Sequence, residues 1–170
     1  DGTLTDGRLL YGSSERDAKS FYVQDGMGLT LLRHAGIELA LVTARQSPVV
    51  AARGSELRID HVHIGERSKL ACMQRIASGM GIGMDEVAFM GDDLQDLAAL
   101  QLAGLSIAVA DAPLEVRQRV DWVTQARGGE GCPRHRSTHG AASAARVQPG
   151  RRGGAIRVAT QMWGESGSAQ

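Results

Sequence analysis

The chain of 170 residues has few cysteines, no net charge and no long apolar run. Cys72 and Cys132 are its two cysteines, and two isolated thiols supply neither a disulfide framework nor the spacing of a zinc site. They fit a reducing compartment, so we expect a cytoplasmic protein. Lysine plus arginine number 19, as do aspartate plus glutamate, which indicates neither a nucleic-acid nor a membrane partner. No apolar stretch approaches the roughly 18 residues that cross a bilayer.

Short apolar runs alternate with helical patterns over most of the sequence. This alternation predicts an α/β fold, a doubly wound (Rossmann-like) open parallel sheet with helices on both faces. Functional sites of such sheets form at the carboxyl ends of the strands. The predicted strands are residues 37–42, 61–64, 87–90 and 105–110, with a last strand near Trp122. The predicted helices are residues 28–34, 48–57, 68–80, 96–103 and 113–120.

Two segments depart from the alternation. Residues 9–11 and 19–23 flank the polar stretch 12–17, which predicts a small β-hairpin insertion before the first helix. Residues 1–131 would form the core, because residues 132–170 contain six arginines, one acid and no apolar periodicity. This second part is either a basic, disordered tail or a shifted reading frame. Read one base later, codons for residues 132–136 can encode Ala-Arg-Asp-Ile, which would open an ordinary helix.

Residues that suit phosphoryl transfer follow the predicted strands. Asp1 stands in a Gly- and Asp-rich turn, Thr43 follows the first strand, and Lys69 begins a helix after the second. Each has an ordinary structural explanation, as a turn residue, an N-cap or a solvated lysine. The adjacent acids of 92–96 repel one another unless a cation joins them. Together the set offers a proton donor, Mg²⁺ ligands and phosphate-binding groups.

The order of these residues resembles the haloacid dehalogenase superfamily. Residues 1–5, Asp-Gly-Thr-Leu-Thr, match its motif Asp-x-Asp-Gly-x-x-Thr from the second Asp onward. The resemblance implies that Asp1 is the general acid/base and a Mg²⁺ ligand through its carbonyl. It also implies a nucleophilic Asp just before residue 1, an N-terminally truncated core and an inactive 170-residue chain. Thr43 matches the second motif, Lys69 the third, and the metal-binding fourth motif is Asp92, Asp93 and Asp96.

Further motifs resemble the capless branch that contains the 3-deoxy-D-manno-octulosonate 8-phosphate phosphatases. They are residues 5–7, 19–28, 43–45, 109–112 and 128–131. The resemblance implies a homotetramer without a cap domain that hydrolyses a sugar-acid phosphate in lipopolysaccharide synthesis, through an aspartyl-phosphate. Phosphate would be bound by Thr43, Ala44, Arg45 and Lys69. The sugar would be bound by a loop over residues 22–26, with Val23, Gln24, Asp25 and Gly26.

Other interpretations stay open at this point. A phosphatase of the same branch could act on a 9-phosphorylated neuraminate-type acid. A receiver domain also uses two acids, a Thr and a Lys, but places its acidic pair first. A non-catalytic interaction protein would lack the nucleophile. His61 and His63 point to one face of a strand, but the sequence shows no third metal ligand for them, and Cys72 is expected in the core.

Overall fold

The computed structural model describes residues 1–10 and 18–132, together with the backbone of residues 157–158. Helices and parallel strands alternate along the chain, so the predicted α/β class is confirmed. The helices are α1 (Val23–His34), α2 (Pro48–Glu56), α3 (Lys69–Met80), α4 (Leu97–Leu102) and α5 (Leu114–Arg117). The strands are β1 (Ala40–Thr43), β2 (His61–Ile64), β3 (Val87–Gly91), β4 (Leu105–Ala108), β5 (Trp122–Val123) and β6 (Arg157–Val158).

The strands pair in two groups, where the sequence predicted one open sheet. β1 pairs with β2, and the other group has the order β5-β4-β3-β6, with every pair parallel. β6 touches only the start of β3, opposite Val87 and Ala88. A narrow cleft, partly open to solvent, lies between β1 and β3 and is lined by residues of both strands. Residues from the beginning of the chain line this cleft beside both strands.

Helix boundaries follow local capping. Ser47 and Ser68 each accept a hydrogen bond from a backbone N–H three residues on, at 3.2 Å, and so begin α2 and α3. α3 ends at Gly81, whose φ of 68° is the left-handed conformation that glycine adopts at least cost. The predicted helices 96–103 and 113–120 are shorter in the structure. One reason is that residues 94–96 form a separate 3₁₀ turn capped by Asp93.

The predicted hairpin is only partly within the described residues. Its turn, residues 11–17, lies outside them, and the flanks 8–10 and 18–22 carry no strand. Val23 was expected in a strand but begins α1, five residues before the predicted start of that helix. Apart from the β6 backbone, residues 133–170 also lie outside the described part. No helix in that part is long and apolar enough to cross a membrane.

Candidate active site

The loop after β3 is organised around one buried acid. Asp96 is fully buried, and its Oδ2 accepts hydrogen bonds from the backbone N–H groups of Asp92 (3.0 Å) and Asp93 (3.2 Å). The Asp93 carboxylate accepts from the N–H of Leu94 at 2.7 Å and caps the turn. Asp96 was predicted as a metal ligand. In the structure its carboxylate shapes the loop that presents Asp92, and its role as a metal ligand stays a prediction.

Lys69 is the cation that compensates Asp96. Its Nζ lies 2.5 Å from Oδ1 of Asp96, a close ion pair rather than an aligned hydrogen bond, and the lysine side chain is 12% exposed. Helix α3 begins at Lys69, beyond β2, so the pair links the ends of β2 and β3. Because Asp96 is buried, removal of Lys69 would leave an uncompensated charge in the protein interior, which typically costs about 3–5 kcal/mol. Lys69 is therefore not a solvated surface lysine.

Asp1 is held by two cations from different parts of the chain. Its Oδ1 lies 2.7 Å from Nζ of Lys19, and its Oδ2 lies 3.4 Å from Nε of Arg45. The Lys19 side chain is 2% exposed, so this is a buried contact. Sequence reasoning did not single out Lys19 as a site residue. Its place at the start of the second flank of the predicted hairpin gave no indication that it contacts Asp1.

The beginning of the chain lies against Asp92. Gly2 has a φ of 71°, and a Cβ on it would overlap Oδ2 of Asp92. Thr3 Oγ1 donates a hydrogen bond to Oδ1 of the same carboxylate at 3.4 Å. Burial raises the pKa of Asp92 to about 6, and the Asp96 carboxylate contributes in the same direction, against Lys69. A glycine is required at position 2 for this close approach.

Thr43 and Arg45 are placed as predicted, at the end of β1. Thr43 is buried and its Oγ1 accepts from the backbone N–H of Arg45 at 3.2 Å, which folds residues 43–45 into a tight turn. Ala44 in this turn is exposed. Thr43 and Lys69 line the cleft together with Asp1. The structure therefore brings the predicted phosphate-binding residues and the predicted acid/base to one edge of the strands.

The predicted sugar-binding loop is wrong in its local structure. Residues 23–26 form the first turn of α1 rather than a loop. Val23 and Gln24 are exposed, whereas Asp25 is 1% exposed and Gly26 is buried. A Cβ on Gly26 would meet the Arg53 guanidinium at 2.6 Å. Asp25 and Gly26 thus pack inward, which leaves Val23 and Gln24 as the members of this set that a substrate could reach.

The donor atoms suit a hard divalent cation. Carboxylate and carbonyl oxygens are the ligands that Mg²⁺ prefers, usually one or two carboxylates with waters. Asp92 is a crowded carboxylate: burial and the Asp96 carboxylate raise its pKa, and the Lys69 ammonium acts against them. Among residues 1–10 and 18–132, the site acids do not bring three carboxylates within 4.8 Å of one another. The assignment of Asp1, Asp92, Asp93 and Asp96 as Mg²⁺ ligands stays a prediction, and Asp92 is a carboxylate of the kind that Mg²⁺ prefers.

Comparison with known proteins gives the family. A haloacid dehalogenase-like hydrolase model matches residues 55–131, which include Lys69 and the 92–96 loop. The 3-deoxy-D-manno-octulosonate 8-phosphate phosphatase KdsC of Haemophilus influenzae is 38% identical over 137 residues, 81% of this chain and 76% of that protein. The chain belongs to the KdsC phosphatase family. The predicted resemblance is confirmed at the level of this family.

Solved structures of KdsC phosphatases match the fold. A phosphatase from Moraxella catarrhalis in complex with magnesium ion, phosphate ion and KDO has a TM-score of 0.76 and 39% identity, over 78% of this chain and 79% of that one. The cobalt-bound phosphatase from Haemophilus influenzae has a TM-score of 0.75 and 38% identity, over 78% and 77%. KdsC relatives thus bind divalent cations, as the oxygen donors of this site suggest.

Proposed function

We propose that this protein, with a nucleophilic Asp upstream of Asp1, is a Mg²⁺-dependent phosphatase for a sugar-acid phosphate, 3-deoxy-D-manno-octulosonate 8-phosphate, in lipopolysaccharide synthesis. One observation carries the proposal. Asp1, paired with Lys19 and Arg45, lies at the same cleft as Thr43 and Lys69, with Asp92 beside Gly2. Acid, cations and hydroxyl are the groups that phosphoryl transfer to a carboxylate requires. The KdsC relatives carry this substrate in their names.

The chain's own residues divide the work. Thr43, the 44–45 backbone and Lys69 bind the phosphate oxygens, and Lys69 also keeps the 92–96 loop in place through Asp96. The upstream Asp attacks phosphorus and forms an aspartyl-phosphate, while Asp1 donates a proton to the departing sugar oxygen and then takes one from water. Lys19 and Arg45 orient the Asp1 carboxylate for this transfer. Mg²⁺, held by Asp92 and the Asp1 carbonyl, would neutralise phosphate charge.

Residues 1–131 form the catalytic core in this proposal, and the 170-residue chain alone is inactive. The cleft between β1 and β3, which Asp1 lines, is where an upstream segment would bring the nucleophile to Asp1 in this proposal. The test is turnover by the chain before and after extension with the upstream segment of the Moraxella catarrhalis relative. Phosphate release only by the extended chain supports the proposal. Release by the unextended chain would show that another group attacks.

The substrate is tested by comparing the kcat/KM values of the extended protein for two sugar-acid phosphates. The extended protein should have a higher kcat/KM for 3-deoxy-D-manno-octulosonate 8-phosphate than for N-acylneuraminate 9-phosphate. The reverse order would assign it to the other phosphatase of the branch. Of the predicted sugar-binding residues 23–26, Val23 and Gln24 are exposed, and their substitution should change this ratio.

We also propose that the protein assembles as a homotetramer without a cap domain. α1 exposes an apolar stripe of Val23 (80% exposed), Met27 (57%) and Leu31 (51%), spaced four residues apart along one face of the helix. A contiguous apolar face of this kind indicates a protein contact. Light scattering of the extended protein should give a tetramer that Leu31→Lys weakens. An unchanged mass for the variant would place the contact elsewhere.

A further inference from the structure

Three side chains with nitrogen, oxygen and sulfur donors converge, and none of them is among the residues that line the cleft. His63 belongs to β2, Glu66 to the following loop and Cys72 to the first turns of α3. One ligand atom from each lies within 4.8 Å of the other two, and Nδ1 of His63 is 3.9 Å from Oε1 of Glu66. The sequence indicated no third metal ligand for His61 and His63. In the structure Glu66 and Cys72 form a cluster with His63, to which His61 does not belong.

The backbone holds the three donors on fixed elements. Cys72 lies one turn into α3, where its N–H donates to the Ser68 carbonyl at 3.1 Å. The Glu66 N–H donates to the Thr43 carbonyl at 2.9 Å, so the loop that carries Glu66 is anchored to β1. The His63 ring stacks on His61, with centroids 6.4 Å apart. A ligand set on a strand, an anchored loop and a helix needs little reorganisation to bind an ion.

The donor types select the ion. A thiolate, an imidazole and a carboxylate together favour a borderline cation such as Zn²⁺ over Mg²⁺. Zinc bonds of about 2.0–2.3 Å place tetrahedral ligands roughly 3.3–3.8 Å apart. The 3.9 Å between His63 and Glu66 therefore has to close only slightly. Both side chains are partly exposed, at 33% and 25%, so an ion can enter from solvent and keep a water as fourth ligand.

Two neighbouring charges act on this cluster. The Arg75 guanidinium lies 2.5 Å from Oε1 of Glu66, the oxygen that also faces His63, so Oε1 would bind the ion through its second lone pair while Arg75 orients the group. Without an ion, burial and the Glu66 carboxylate raise the pKa of the Cys72 thiol to about 11. A divalent cation would displace the thiol proton. Cys72 then contributes charge instead of packing alone.

We propose that His63, Glu66 and Cys72 bind one Zn²⁺ ion, at a site separate from the Mg²⁺ ligands of the cleft. Cobalt is the probe, because Zn²⁺ has no d–d absorption, whereas a thiolate bound to Co²⁺ gives a near-ultraviolet charge-transfer band. The reduced 170-residue chain is titrated with Co²⁺ in excess Mg²⁺, which occupies oxygen-only sites. One equivalent should produce the band with release of a proton, and Zn²⁺ should abolish it.

Variants decide the ligands. Cys72→Ala should remove the band, and His63→Gln and Glu66→Gln should each weaken Co²⁺ binding by more than the 10–100-fold typical of an outer partner. Arg75→Gln, which removes only a partner of Glu66, should weaken Co²⁺ binding by about 10–100-fold. His61→Gln is the matched control, since His61 shares the strand and the stack but not the cluster, and Cys132→Ala controls for the other thiol. Both should keep the band.

Several results would overturn the proposal. They are no band in the unmodified chain, a band that survives Cys72→Ala, or binding unaffected by both His63→Gln and Glu66→Gln. Should Cys72→Ala fail to fold, the two partly exposed ligands decide the question by themselves, because neither packs in the core.

Discussion

Asp25 is a buried acid, and its replacement by asparagine should change how the stability of the protein depends on pH. It is 1% exposed, and neither carboxylate oxygen has a partner of good geometry among the described residues, although the Gly131 backbone approaches it. Burial raises the pKa of Asp25 from 3.8 to about 7, against the opposing effects of that backbone group and of Arg53. Arg53 compensates weakly, because it also pairs with Glu56 at 2.8 Å.

Proton linkage gives the direction and the size of the pH-dependent change in stability that Asp25 causes. The folded state binds the Asp25 proton more tightly than the unfolded chain does, so stability falls as pH rises from about 4 to about 7 and is then constant. The raised pKa corresponds to at most about 4 kcal/mol over that interval. Asp25→Asn removes this titration. The stability of the variant relative to the unmodified chain should therefore rise by up to about 4 kcal/mol between pH 4 and pH 8.

Urea denaturation followed by circular dichroism, at a series of pH values, measures the difference. Titration of Asp92 occurs in both proteins and cancels in the comparison. Glu56→Gln is the matched control: it removes an exposed carboxylate from the same guanidinium and should change stability by no more than about 0.5 kcal/mol. A difference between Asp25→Asn and the unmodified chain that stays flat with pH would refute the reasoning.

Three further predictions concern the cleft of the extended protein. Lys69→Met should lower kcat/KM by two decades or more, since one such charge is worth roughly 3–4 kcal/mol of transition-state stabilisation. It should also lower the melting temperature, because Asp96 loses its partner. Adding Asp96→Asn to this variant should restore stability but not turnover. Gly2→Ala should weaken Mg²⁺ activation, because its Cβ displaces Asp92; unchanged activation would contradict the close approach. Asp92→Ala should abolish Mg²⁺-dependent turnover, and retention of that dependence in rate assays would exclude it as a ligand.

The sequence located the strands because buried parallel strands appear as short apolar runs, as in β3, which extends the predicted run by one residue. The half-buried β2 is also found as predicted, whereas β1 begins three residues later and β4 ends two residues earlier than predicted. α1 was predicted five residues late, since Gly26 and Gly28 are weak helix formers that conceal its first turn. Their small size allows close packing instead, as at Gly26 against Arg53.

The site was predictable as a set of motifs but not as a network of contacts. Thr43, Lys69 and Asp92 could be placed because each follows a strand. The Lys19–Asp1 and Lys69–Asp96 pairs join residues distant in sequence, and no local pattern encodes such pairing. Burial likewise decides the role of Asp96. In the sequence it is one acid of three, whereas in the structure it is the one that organises the loop.

The most direct test of the proposed function is phosphate release from 3-deoxy-D-manno-octulosonate 8-phosphate by the extended protein, with and without Mg²⁺. The arrangement of Asp1, Lys69 and Asp92 predicts turnover that requires Mg²⁺ and is lost on chelation. No release, or equal release without the metal, would contradict it.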